Sequence, residues 1–254
     1  MSQPRITEIL ENINKKVCLT TNTVDKFGMQ DDIDTADTTG ALTQKIWPIK
    51  RTVQDYIFID SPIQLHLTSS SGNDSIAGSG AQKISVSYQD SSGIEQFVTL
   101  DMAGSGNVNL PDTSYGSFRM KVSQTGASNT NEGTITLEDG SGNIYAIVSI
   151  GEGQTQMAVQ RIPSDKTGVI VRRYARYGRG GGTTSAEMRL RIRMVDGTII
   201  TKDDPLIRTT MAEYDVAYSG GVTVNPGEWV FWEAVSVSAN NTSIAAGFDI
   251  RYND

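Results

Sequence analysis

General acid–base and nucleophilic catalysis draw most often on histidine, and this chain has one, His66. It stands between Leu65 and Leu67, on the opposite face of a predicted strand. A solvent-facing or interface position is expected there. One histidine and one cysteine, Cys18, cannot complete a zinc site without carboxylate help. Lys166-Thr167-Gly168 matches one fragment of the serine β-lactamase motif set, but the partner Ser-x-x-Lys is absent. The glycine runs Gly104-Ser105-Gly106 and Gly178-Arg179-Gly180-Gly181-Gly182 lack the spacings that cradle phosphates. Paired carboxylates such as Asp203-Asp204 and Glu138-Asp139 fall in predicted turns, where acids are common anyway. Asp139-x-Ser141-x-Asn143 places oxygens at alternate positions, but the bidentate glutamate of a calcium loop is missing, so a hairpin turn is expected. The reading is a non-enzyme with no catalytic residues, no cofactor and no metal site.

Charge is where the chain departs from the average. Residues 161–193 hold nine basic residues, among them Arg172, Arg173, Arg176, Arg189, Arg191 and Arg193, against Asp165 and Glu187. This segment carries +7 in a chain of net −7, so the remainder carries −14. Three roles fit it. The arginines could fill the wet side of a strand. They could pair across a subunit interface with the acidic run Asp31, Asp32, Asp34 and Asp37, for which the arginine fork is well shaped. With Tyr174 and Tyr177 they could line a single-strand groove, a reading the overall acidity disfavours, so nucleic acid is not expected as a partner.

The elements that would position these groups are mostly strands. Residues 6–17 are the exception. Ile6, Ile9, Leu10, Ile13 and Val17 form one apolar stripe at helical spacing. This helix either packs on its own domain or docks on a neighbour. Residues 18–57 read as an irregular, extended arm with Trp47-Pro48-Ile49 as an anchor point. From residue 58 onward, short alternating runs separated by Gly, Ser, Asn and Asp turns predict an all-β fold. Met188, Leu190, Ile192 and Met194 alternate with Arg189, Arg191 and Arg193, and Asp196-Gly197 predicts a hairpin. Trp229-Val230-Phe231-Trp232 is apolar on both faces, which favours a buried strand; if exposed, it and Tyr214, Tyr218 and Tyr252 could instead stack sugars. The predicted organisation is 1–57 helix and docking arm, 58–152 one antiparallel β-sandwich, jelly-roll-like, and 153–254 a second that could be continuous with it. Ile6, Ile9, Leu10, Ile13, Trp47 and Ile49 are the expected docking residues; the six arginines named above are the expected ionic interface.

With 254 residues the chain can bury a sizeable core. A hydrophobic fraction of 37% is low, which suits sheets with one wet face or a surface completed by partners. One cysteine forbids an intrachain disulfide, and no secretory signal or membrane span is visible. Synthesis in a reducing cytoplasm is expected.

Several stretches together resemble bacteriophage virion structural proteins of the β-sandwich type. They are Ser79–Val86, Glu95–Leu100, Asn131–Thr136, Gly151–Gln156, Ile162–Gly168 and Ser243–Ile250, in that order. The resemblance implies a capsid decoration (cement) protein or a head-fibre, neck or tail component. Its partners would be a major capsid protein or other virion proteins, and its own copies, trimers being common in such proteins. Its place would be the virion. Residues 1–57 depart from that pattern. The other reading is a host-surface or glycan-binding module of a fibre or tail.

Overall fold

The computed structural model describes residues 22–253 except 41, 52, 180–184 and 209–212. The predicted helix over 6–17, with Ile6, Ile9, Leu10 and Ile13, lies outside the described residues. Within them the fold is all-β and every strand pairing is antiparallel. The strands are β1 (Asn22–Ile33), β2 (Gln44–Lys45), β3 (His66–Ser69), β4 (Ala81–Asp90), β5 (Glu95–Asp101), β6 (Val108–Asn109), β7 (Ser114–Thr125), β8 (Ile135–Glu138) and β9 (Ile144–Val148). They continue as β10 (Val159–Arg161), β11 (Thr167–Arg179), β12 (Ser185–Arg193), β13 (Ile199–Asp203), β14 (Leu206–Arg208), β15 (Glu213–Val224), β16 (Trp229–Val237) and β17 (Thr242–Asn253). A single 3-10 turn covers Thr35–Thr38.

These strands make four sheets. β5-β4-β7 and β6-β3-β8-β9 bury their inner faces in a first core that includes Ile84, Val86, Leu67, Leu137 and Met120. β1-β17-β11-β15 and β10-β16-β12-β13, the latter with β14 and β2 attached, bury theirs in a second core around Leu190, Ile192, Phe248 and Ile250.

One strand belongs to both cores. Trp229 and Phe231 of β16 pack in the first, and Val230, Trp232 and Ala234 in the second. Phe58 meets Trp229 and Phe231 at ring separations of 5.2 and 5.1 Å, and Trp232 Nε1 donates to Gly247 O at 2.9 Å. Each aromatic pair adds about 0.5–1.5 kcal/mol to what burial supplies. The double-faced pattern of Trp229–Trp232 is therefore a joint between the two halves.

The arm predicted at 18–57 takes a different course. Asn22–Ile33 is a twelve-residue strand on the edge of β17, in register from Asn22↔Tyr252 to Ile33↔Thr242. Its inward positions are Val24, Lys26, Gly28 and Gln30, so three of the four side chains that should signal a strand are polar or absent. Gly28 is required by close approach: a Cβ there would lie 2.2 Å from Ala158 N. Trp47 and Ile49 then join the first core, Trp47 edge-on to Tyr56 at 5.1 Å. Residues 22–57 thus begin in one half and cross into the other.

Candidate partner-binding surfaces

The expected ionic interface is built on two strands. Along β12 the burial alternates, with Ala186, Met188, Leu190 and Ile192 inward and Arg189, Arg191 and Arg193 on the other face. The period of two delivers this placement. Arg193 forks onto Asp60 at 2.6 and 3.0 Å, with its guanidinium 5.2 Å from the Phe58 ring centre. Arg191 pairs with Glu233, which is 3% exposed. Arg189 reaches Glu187 at 2.8 Å and Asp204 at 3.4 Å. On β11, Arg172 forks onto Asp215 at 2.9 and 2.5 Å, Arg176 donates to Glu213 at 2.9 Å, and Arg173 pairs with Asp203 and Tyr214.

All six arginines therefore find carboxylates within this chain, so their charge is balanced without the expected intersubunit partner. Three members of the acidic run have other partners within the chain. Asp34 pairs with Lys50 at 3.5 Å, Asp31 accepts from Ser243, and Asp37 accepts from the Asp34 amide at 2.9 Å. Trp47 and Ile49 do not offer themselves to a partner, since the first core covers both.

The buried reading of Trp229–Trp232 holds, against the sugar-stacking alternative. Trp229 and Trp232 are 2% and 0% exposed, Tyr252 is buried, and Tyr214 is spent on Asp203 and Arg173. The side chain of Tyr218 is outside the described residues. His66 is buried rather than solvent-facing, 3.4 Å from Glu138 across β3 and β8. Asp139 accepts from Ser141 N, Asn143 N, Asn143 Nδ2 and Tyr145 OH, closing the hairpin between β8 and β9. Burial opposes this, yet those hydrogen bonds hold its carboxyl down to about 2. Among the described residues no group of three or more metal-ligating side chains is assembled. No described helix is long and apolar enough to cross a membrane.

Three surfaces remain. The first is a sheet edge. β13 and β14 both end the sheet on the far side of β12; they leave Ile199 exposed at one end, with Val195 next to it in the hairpin turn, and Leu206 exposed at the other end, opposite Glu187. The opposite style of edge is β15, where Glu213 and Asp215 are locked onto arginines. Charge of that kind guards an edge against pairing.

The second surface is a cleft of about 510 Å³ where β1 meets the β5-β4-β7 sheet, lined by Asp25, Lys26, Glu95, Arg119, Gln160 and Tyr252 among others. Lys26 is 4% exposed and donates to Phe118 O across the seam between the halves. Burial, opposed by Glu95, pulls its ammonium down to about 7. On the neighbouring strand pair Asp25 faces Asp249, whose carboxyl is raised by burial and by Asp25.

The third is a shelf on the outer face of β5, β4 and β7. It adjoins the cleft and has a volume of about 360 Å³. Phe97 stands on it 78% exposed, while its neighbours Val98 and Leu100 turn toward the core. The sequence marks this position: Phe97 shares its phase with Thr99 and Asp101 rather than with the apolar residues of β5.

The chain matches no protein-family model and no curated protein. Among solved structures it is similar to the T13 viral particle of infectious bursal disease virus at 10% identity and a TM-score of 0.27, over 91% of this chain and 69% of that one. It is similar to the VP2 subviral particle of the same virus at 10% identity and a TM-score of 0.20, over 92% and 72%. Scores at this level leave fold and function to be argued from the chain itself.

Proposed function

We propose that this chain is a non-enzymatic structural component of a virus particle, most narrowly a capsid decoration or cement protein of a tailed phage, with sandwich-type packing in each half. The open β13–β14 edge carries this reading. Among the described residues both strands are unpaired on their outer side, and apolar side chains are exposed at each end of the edge, Ile199 and Val195 at one and Leu206 at the other. Such an edge suits strand or side-chain docking by a second protein. The shared strand β16 supports it by making the two halves one brace. A cement protein must transmit load between shell subunits, and a joint buried on both faces does that better than a flexible linker. The ordered series of phage-like stretches between Ser79 and Ile250 supports it as well. Its partners would be a major capsid protein and further copies of the chain.

Co-sedimentation with purified phage capsids and tails is the test. The wild-type chain should pellet with one of them, and Ile199→Asp with Leu206→Asp should remain in the supernatant while melting at an unchanged temperature. Failure of the wild-type chain to associate with any particle preparation would remove the reading.

A further inference from the structure

The shelf around Phe97 has the composition of a small-ligand site rather than of a protein interface. Strand register lays its side chains out as a grid. Phe97, Ser87 and Arg119 form one row across β5, β4 and β7, and Thr99, Ser85 and Lys121 form the next. Neighbouring strands lie about 4.8 Å apart, so each row spans roughly one sugar ring and its substituents. No carboxylate lines this volume, although the chain as a whole is at −7. Among the described residues neither Arg119 nor Lys121 makes an ion pair; Arg119 donates only to the neutral Gln154 side chain, at 3.2 Å.

We propose that the shelf binds an acidic saccharide. The exposed ring of Phe97 offers a face for the C–H side of a pyranose. The hydroxyls of Ser85 and Thr99 hydrogen-bond each other at 3.0 Å, which leaves one proton to donate and lone pairs on both oxygens to accept from sugar hydroxyls. The Arg119 guanidinium fits a carboxylate bidentately, and the Lys121 ammonium adds charge beside it. The shelf also gives the ligand a direction. Ser87 is held by Glu95 at 2.6 Å, and the adjoining cleft contains Glu95 and Asp25. The acidic group therefore sits on the β7 side of the shelf, between Arg119 and Lys121 and away from Glu95 on β5.

Size separates this occupant from a protein. Stable protein interfaces bury about 800 Å² on each partner and centre on clusters of large side chains. Here a single ring is surrounded by small hydroxyl residues, in a volume at the lower end of ligand pockets, which begin at about 300 Å³. The inference is separate from the particle reading, since the shelf and the β13–β14 edge share no residue.

Titration calorimetry of the full chain would compare sialyllactose with lactose, and trigalacturonate with its neutral galactose counterpart. The acidic members should bind at least tenfold tighter than the neutral ones, and less tightly as salt is raised. Phe97→Ala should weaken every binder about tenfold, and Phe97→Tyr should restore binding. Arg119→Gln with Lys121→Gln should bring the acidic ligands to the level of the neutral ones. The proposal is overturned by no binding of either acidic glycan at millimolar concentration, by unchanged affinity in Phe97→Ala, or by equal affinity for a short poly-glutamate peptide. Unchanged far-ultraviolet dichroism and melting temperature would show that the variants fold.

Discussion

Residues 161–193 and the Arg119–Lys121 pair hold their positive charge in opposite ways. The first is dense, and each of its six interface candidates is matched by a carboxylate of the same chain: Asp60, Asp203, Asp204, Asp215, Glu187, Glu213 or Glu233. The second is sparse, and no carboxylate answers it among the described residues. Charge density along a sequence thus says little about a binding surface. What counts is whether the fold brings the counter-charge, and here the fold brings acids from 60, 203–204, 213–215 and 233 to an arginine-rich pair of strands. Lys26 is a third case: a cation without a carboxylate partner, but buried. Unmatched charge inside the protein should cost stability, and unmatched charge outside should be free to bind.

The largest effect should come from unmatching the dense region. Glu233 is buried and takes both Arg191 and, at 2.8 Å, Thr43 Oγ1. Glu233→Ala strands a largely covered guanidinium, and such losses cost about 3–5 kcal/mol. Urea unfolding should show a drop of that order. A loss below about 1 kcal/mol would mean that Arg191 is solvated and the pairing is decorative.

Lys26→Met should act in the opposite direction. Its ammonium falls from 10.5 in the unfolded chain to about 7 in the folded protein, because burial outweighs the pull of Glu95. The folded state therefore binds this proton more weakly than the unfolded state. The resulting cost is absent above pH 10.5, grows as pH falls, and is complete below pH 7. At roughly 1.4 kcal/mol per unit its ceiling is about 5 kcal/mol. The Phe118 carbonyl loses a donor in the variant, which returns about 1–3 kcal/mol. A net gain of roughly 2–4 kcal/mol at pH 6 is expected, shrinking toward pH 10. Equal pH dependence in the two proteins between 7 and 10 would show that Lys26 titrates normally.

These cases also show what the sequence could disclose. The alternation of Met188 to Met194 specified β12 and both its faces, because inward and outward residue types differ sharply there. Trp229–Trp232 announced its double burial for the same reason. β1 stayed hidden because its inward residues include Lys26, Gly28 and Gln30 while Phe27 faces out, 40% exposed. Pattern reading assumes apolar means inside, and this strand inverts the rule at the seam. Trp47 was visible as an anchor, but nothing local says whether its surface is its own chain or another's; that depends on Tyr56 and on a core completed by residue 231. The arginine partners were illegible because most are distant in sequence: Asp60 is 133 residues from Arg193.

Smaller effects should follow at the exposed end of the dense region. Arg172 hydrogen-bonds Asp215 and holds its carboxyl below the ordinary range. It also opposes the rise that burial and Asp25 impose on Asp249. Arg172→Gln should move both carboxyl titrations upward in side-chain NMR. Asp215 is depressed in the folded state, so its stabilising contribution is present above its unfolded value and lost on acidification; the variant should lose part of that dependence. If neither carboxyl moves, the fork is not populated in solution.

The smallest expected effect decides the comparison. Arg119→Gln with Lys121→Gln removes two charges whose described partner is one neutral amide. Surface changes away from buried features stay within about 0.5 kcal/mol, so urea unfolding of this variant should overlay the parent. Slight stabilisation is compatible with it, because Arg119 also repels Lys26. A loss above about 1 kcal/mol would mean that the two cations help hold β7 against β4 or the seam. The shelf would then be a structural surface that happens to be basic, and the contrast with the arginine-rich strands would reduce to one of density alone.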